Sequence, residues 1–109
     1  MKAAPPLLDA VVFHCQQAAE TALKALLAWH DVPFRETHNL TEIGEACVRI
    51  DAALGESLAR ADLLTKYAWL YRYPGDPEEP PRAEAEQALA LAREVYDAIL
   101  ARLPEEVRP

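Results

Sequence analysis

Glycine is scarce, and none of it is clustered. The chain of 109 residues has three glycines, Gly44, Gly55 and Gly75, each isolated, so no glycine-rich loop is available to cradle a phosphate. Cysteine is scarcer still. Cys15 and Cys47 are too few for the disulfide framework of a small secreted domain, and because each falls on an apolar helical stripe, buried reduced thiols are expected. The three histidines, His14, His30 and His38, lack metal-ligand spacing to one another, to cysteine or to a carboxylate cluster; neither a metal nor another cofactor is expected. His14 adjoins Cys15, but neighbours on a helix point in different directions, which argues against a Cys/His nucleophile pair.

Long apolar runs are missing too. Gln16, Gln17, Glu20 and Lys24 interrupt the most apolar segment, well short of the roughly 20 uninterrupted residues of a membrane span. The first six residues show no apolar run behind a charged segment, so no secretory signal is read and a cytoplasmic location is expected. Positive charge is in the minority: 11 Lys and Arg against 18 Asp and Glu give a net charge of −7. A broad phosphate-neutralising face for nucleic acid is therefore disfavoured, although a small basic pocket is still permitted.

With 51% hydrophobic and 27% charged residues, the chain reads as one globular domain over residues 1–109. No alternating strand pattern of useful length occurs. After Pro5 and Pro6, Leu8, Val12, Cys15, Ala19, Ala22, Leu26 and Trp29 recur at spacings of three and four, predicting a helix over residues 7–30. Val11, Ala18 and Ala25 widen the stripe, which places this helix in the middle of the bundle. Pro33 ends it. Asn39 or Thr41 can cap a second helix with apolar positions Leu40, Ile43, Cys47, Ile50 and Leu54, and Gly55 marks a turn. A third helix is predicted over residues 56–71, with Leu58, Ala61, Leu64 and Ala68 on one face and Leu63, Tyr67 and Leu70 beside it. Residues 72–81 hold four prolines and a glycine and read as a loop. The last helix, over residues 82–103, carries Ala85, Leu89, Ala92, Tyr96, Ile99 and Leu103. The expected fold is all-α, an up-and-down bundle of about four helices.

Gln17, Glu20, Thr21 and Lys24 share one side of the first helix, with His14 in line above Gln17. Either Glu20 and Lys24 form a surface ion pair, or the stripe is part of a binding site. In the segment Lys66-Tyr67-Ala68-Trp69-Leu70-Tyr71-Arg72-Tyr73, aromatic rings surround two cations. Arg grips phosphate with a planar fork and Tyr or Trp stacks on a base; alternatively the rings fill the bundle end and Arg72 pairs with an acidic neighbour.

The strings FHCQQAAETALKALLAWHDVPFRETHNL (residues 13–40), LTKYAWLYRYPGDPEEP (64–80) and EAEQALALAREVYDAIL (84–100) resemble the HEPN family, small helical domains that often accompany minimal nucleotidyltransferases. The resemblance implies an all-α bundle, commonly dimeric, that binds a nucleotide or another phosphate-bearing small molecule for a nucleotidyltransferase partner, in a pairing of toxin–antitoxin type. It points to Gln17, Glu20, Lys24, His38, Tyr71, Arg72, Tyr73 and Pro74. Ribonuclease members carry an Arg followed several residues later by a His. Here Arg35 has only Glu36 and Thr37 before His38, and no His follows Arg72. A non-catalytic binding module is thus the first expectation. A metal-independent endoribonuclease, with His38 or His14 as base and Arg72 or Arg35 as phosphate clamp, is the second, and a bundle that only associates with another protein the third. Relatives of this kind carry a further helix ahead of the Phe13 segment, where this sequence has twelve residues; a second copy of the chain is expected to cover the first helix.

Overall fold

The computed structural model describes residues 7–71 and 79–108, and every regular element among them is helical. In chain order these are α1 (Leu8–Trp29), α2 (Leu40–Ile50), the short α3 (Leu54–Leu58), a 3₁₀ helix (Ala61–Ala68), α4 (Arg82–Leu100) and a single 3₁₀ turn (Glu105–Val107). α1 packs against α2, the long 3₁₀ helix and α4, so it occupies the middle of the bundle. Val12, Ala19, Ala22, Leu23, Leu26 and Leu27 are fully buried along it. No helix among the described residues is long and apolar enough to cross a membrane.

α1 stops through its backbone. Asp31 takes φ 56°, in the left-handed region where a short polar side chain is tolerated. The Asp31 amide donates to the Ala28 carbonyl at 3.1 Å and the Val32 amide to the Leu27 carbonyl at 2.8 Å. These are the paired bonds of a Schellman cap, and Val32 packs onto the core below. Pro33 then turns the chain back along α1. Of the two candidate caps for α2, Asn39 is used: its side chain accepts from the Thr41 and Glu42 amides at 3.0 and 3.2 Å.

The predicted third helix is broken in two. Helical geometry gives way after Leu58, and the chain resumes as a 3₁₀ helix at Ala61. Leu58, Ala61, Leu64 and Tyr67 recur at intervals of three, the period of a 3₁₀ helix, and all four are buried. An α-helix would rotate this row off the core. Leu63 lies outside and is exposed.

The last helix ends at Leu100, three residues before the expected boundary. Leu103 is nonetheless buried, and Arg102 fastens the terminus by donating to Asp51 at 2.7 Å and to the Ala98 carbonyl at 2.8 Å. Leu89 and Trp29, both expected in core stripes, are half exposed. The core face of α4 is Ala85, Ala88, Leu91, Val95 and Ile99, and Leu89 is rotated about 100° from Ala88. Trp29 is the last residue of α1.

Both thiols are free and buried. The Cys47 thiol donates to the Leu23 carbonyl at 3.4 Å, and burial pushes it up to about 12; burial also raises Cys15. Such thiols are inert packing groups, since the thiolate is the reactive form.

Candidate functional site

Gln16, Glu20 and Lys24 stand one turn apart on α1, so their side chains meet. Gln16 is 1% exposed, and a buried amide needs partners. Its Nε2 donates to Glu20 Oε1 at 2.7 Å. Lys24 Nζ donates to Glu20 Oε2 at 3.0 Å and to Glu36 Oε1 at 2.8 Å. The connection after the α1 cap delivers the remaining groups. The Phe34 ring lies 5.7 Å from Lys24 Nζ, and His38 Nδ1 lies 2.7 Å from Glu20 Oε1.

Glu20 is the hub, with a side chain 14% exposed. Burial alone would raise its carboxyl. Hydrogen bonds from Gln16, His38 and Lys24, with the Lys24 charge, outweigh that and hold it below the ordinary glutamate range. Burial would likewise lower the Lys24 ammonium, but its bonds to Glu36 and Glu20 carry it above its usual value.

A carboxylate only accepts, so His38 Nδ1 carries the proton in this contact. His38 Nε2 is left without a hydrogen-bond partner among the described residues, and it can accept a proton when the ring is neutral or donate when it is charged. Beside it opens a cleft of about 290 Å³ lined by Phe13, Gln16, Gln17, Glu20, Thr21, His38 and Ala68. Gln17 Oε1 is 3.1 Å from His14 Nδ1, which leaves the Gln17 amide nitrogen toward solvent or ligand.

Of the residues named from the sequence, Gln17, Glu20 and His38 line one cleft, although His38 is 18 residues from Glu20; Lys24 joins them through its ion pair with Glu20, outside the lining. The surface-pair alternative is present as well, because Glu20 and Lys24 are ion-paired. Tyr71 belongs to a second cluster. Its hydroxyl and that of Tyr67 donate to the same Glu84 oxygen at 3.2 and 2.6 Å, and the rings stack with centroids 6.3 Å apart. Burial and the Glu84 charge raise both hydroxyls. Tyr71 holds φ 70°, a strained conformation for a bulky residue. Arg72, Tyr73 and Pro74 lie outside the described residues. Arg35 is engaged by Glu42 through Nε at 3.1 Å and Nη2 at 2.6 Å, a bidentate pair along one edge of its guanidinium.

Gln16, Phe13 and Glu36 were not singled out from the sequence. Gln16 was legible in principle: it interrupts the apolar stripe four residues before a glutamate, the spacing at which an amide and a carboxylate meet. Glu36 carried no such signal. Among the described residues no group of three or more His, Cys, Asp or Glu could hold a metal ion.

A polar, histidine-edged cleft thus lies on the central helix of a helical bundle. The family model for the HEPN domain matches residues 6–103, and the chain belongs to the HEPN domain family, which is associated with nucleotide binding and with ribonucleases. Neither a curated protein nor a solved structure was found to match it.

Proposed function

We propose that this chain is a non-catalytic module that binds a nucleotide or another phosphate-bearing small molecule around Glu20, its phosphate at Lys24 and the rest in the adjoining cleft beside Glu20 and His38. The observation that carries this reading is the state of Lys24. Its ammonium is shared between the largely buried Glu20 and a Glu36 whose side chain is 87% exposed. The inner carboxylate fixes the cation; the outer one is a solvated acid that a ligand phosphate can replace at little cost, because exposed ion pairs contribute only about 0–1 kcal/mol. The Gln17 amide supplies a further donor, His38 Nε2 another when its ring is charged, and Phe13 adds an aromatic wall for a base. The cleft, near the lower limit of roughly 300 Å³ for small-molecule sites, suits a mononucleotide better than an oligonucleotide. Arg72 and Tyr73 carry no part of this reading. A minimal nucleotidyltransferase, in a toxin–antitoxin type of pairing, is the partner that the family likeness supports.

Calorimetry with inorganic phosphate and with nucleoside mono-, di- and triphosphates is the test. At least one nucleotide is expected to bind, Lys24→Ala to weaken it tenfold or more, and Glu36→Gln to tighten it by removing the competing carboxylate. No heat with any of them would contradict the reading.

One observation favours a second reading. The 2.7 Å contact between His38 and Glu20 orients an imidazole as a carboxylate does for a general base. RNA cleavage that persists in EDTA and stops in His38→Ala would make His38 the base of a metal-independent ribonuclease. Of the two clamps named for that reading, Arg35 is paired with Glu42 and does not line the cleft, and Arg72 lies outside the described residues, which keeps it second.

A further inference from the structure

His38 is tied to the site through one ring nitrogen. Its Nδ1 lies 2.7 Å from Glu20 Oε1, the ring lines the cleft, and the side chain is 65% exposed, so protons from solvent reach it freely. Because a carboxylate only accepts, Glu20 fixes the neutral ring as the tautomer with its proton on Nδ1. Nε2 then carries a bare lone pair, which repels a phosphate oxygen. The charged ring instead offers an N–H at the same place.

We infer, on the reading of the cleft proposed above, that the phosphate-bearing ligand is taken up together with one proton from solvent, carried on His38 Nε2, so that binding weakens as the pH rises. Glu20 makes the coupling obligatory. Without that carboxylate the neutral ring could take the other tautomer and donate from Nε2 at any pH. Among the described residues lining the cleft, only Glu20 and His38 titrate, and the 3₁₀ helix brings it Ala68 and no charge. Burial raises the Glu20 carboxyl, but its hydrogen bonds outweigh this and hold it below the ordinary range; the Lys24 ammonium, which burial would lower, is carried above its own. Both therefore stay charged between about pH 5 and 8, where an imidazole ordinarily gains or loses its proton. Beyond the lining, Glu36 shares Lys24 and Arg35 is paired with Glu42. His14 reaches the site through Gln17 and is the imidazole to control for.

Calorimetry of the full chain with a nucleoside monophosphate, in buffers of high and low ionisation enthalpy, counts the protons. The measurement belongs near pH 7.5, above the second phosphate ionisation at about 6. Uptake approaching one proton per ligand is expected, with affinity falling by up to about tenfold per pH unit. His38→Gln replaces the ring with an amide that donates at every pH; it should bind with no proton uptake and a flat pH profile, whereas His14→Gln should match the wild type. Nitrogen NMR of the labelled wild type asks the same question without a variant: Nε2 should be bare in the free chain at that pH and protonated in the complex. Binding without proton uptake, uptake that persists in His38→Gln, or a free ring already protonated on Nε2 would each overturn the inference while nucleotide binding stands. Absence of binding by the wild type to any nucleotide would overturn both.

Discussion

Glu20→Ala is expected to destabilise the fold by about 2 kcal/mol and to weaken nucleotide binding by an order of magnitude or more. The stability loss follows from what the carboxylate leaves behind. Gln16 is buried with its amide aimed at Glu20 Oε1, and a buried donor stripped of its acceptor costs roughly 1–3 kcal/mol. Lys24 loses its inner partner, and His38 loses the contact that ties the segment after α1 to the helix. Glu20→Gln keeps an acceptor oxygen for Gln16 but gives up the charge, so it should fall between wild type and Glu20→Ala. Urea unfolding of the three proteins checks the order. The effect also depends on pH. The Glu20 carboxyl is held below its ordinary value in the folded chain, chiefly because the hydrogen bonds from Gln16, His38 and Lys24 outweigh burial. Its contribution is therefore fully present above the ordinary glutamate value of about 4.3 and is lost as the pH falls through the lowered one. The stability gap between wild type and Glu20→Ala should narrow in acid.

Leu23→Ala is expected to cost still more, about 2–5 kcal/mol. Leu23 is fully buried on the central helix, and its carbonyl receives the Cys47 thiol across the α1–α2 contact. Truncation leaves a cavity between helices that are pinned together at that point, so little collapse can offset the lost contacts. Against a total stability on the order of 5–15 kcal/mol, the expected fall in melting temperature is roughly 10–20 °C. Leu63→Ala, at an exposed position of the 3₁₀ helix, is the control and should shift stability by less than about 0.5 kcal/mol. Equal effects at both positions would contradict the burial pattern described above.

Much of the fold is legible in the spacing of apolar residues. The first helix is a clean repeat closed by a proline, and the bounds this predicts agree with the structure to within one residue at each end. The cap of α2 is readable because Asn39 is one of the few side chains that can accept from two following amides. The break at Leu58 is not legible, because leucines and alanines at intervals of three and four satisfy an α-helix on paper. Only the packing of Ala61, Leu64 and Tyr67 against α1 and α4 selects the tighter 3₁₀ turn. The exposure of Leu89 is hidden for a related reason: an alanine-rich helix has apolar residues on more than one face, and periodicity alone does not say which face meets the core.

The site divides in the same way. Gln17, Glu20 and Lys24 follow from local helical geometry. That His38 reaches Glu20 does not, since it depends on how the chain turns back after Asp31; the family resemblance pointed to His38 where spacing was silent. Glu36 escaped both, because an exposed loop glutamate has no distinguishing pattern until its distance to Lys24 is known.

Titration of the isotopically labelled chain with nucleoside monophosphates, followed by NMR at the His38 ring and the Gln17 side-chain amide, asks most directly whether the Glu20-anchored cleft is the binding site. Both groups should shift together and saturably, and the shifts should disappear in Lys24→Ala. Binding that leaves these resonances unmoved while others respond would place the ligand elsewhere and contradict the site proposed on α1.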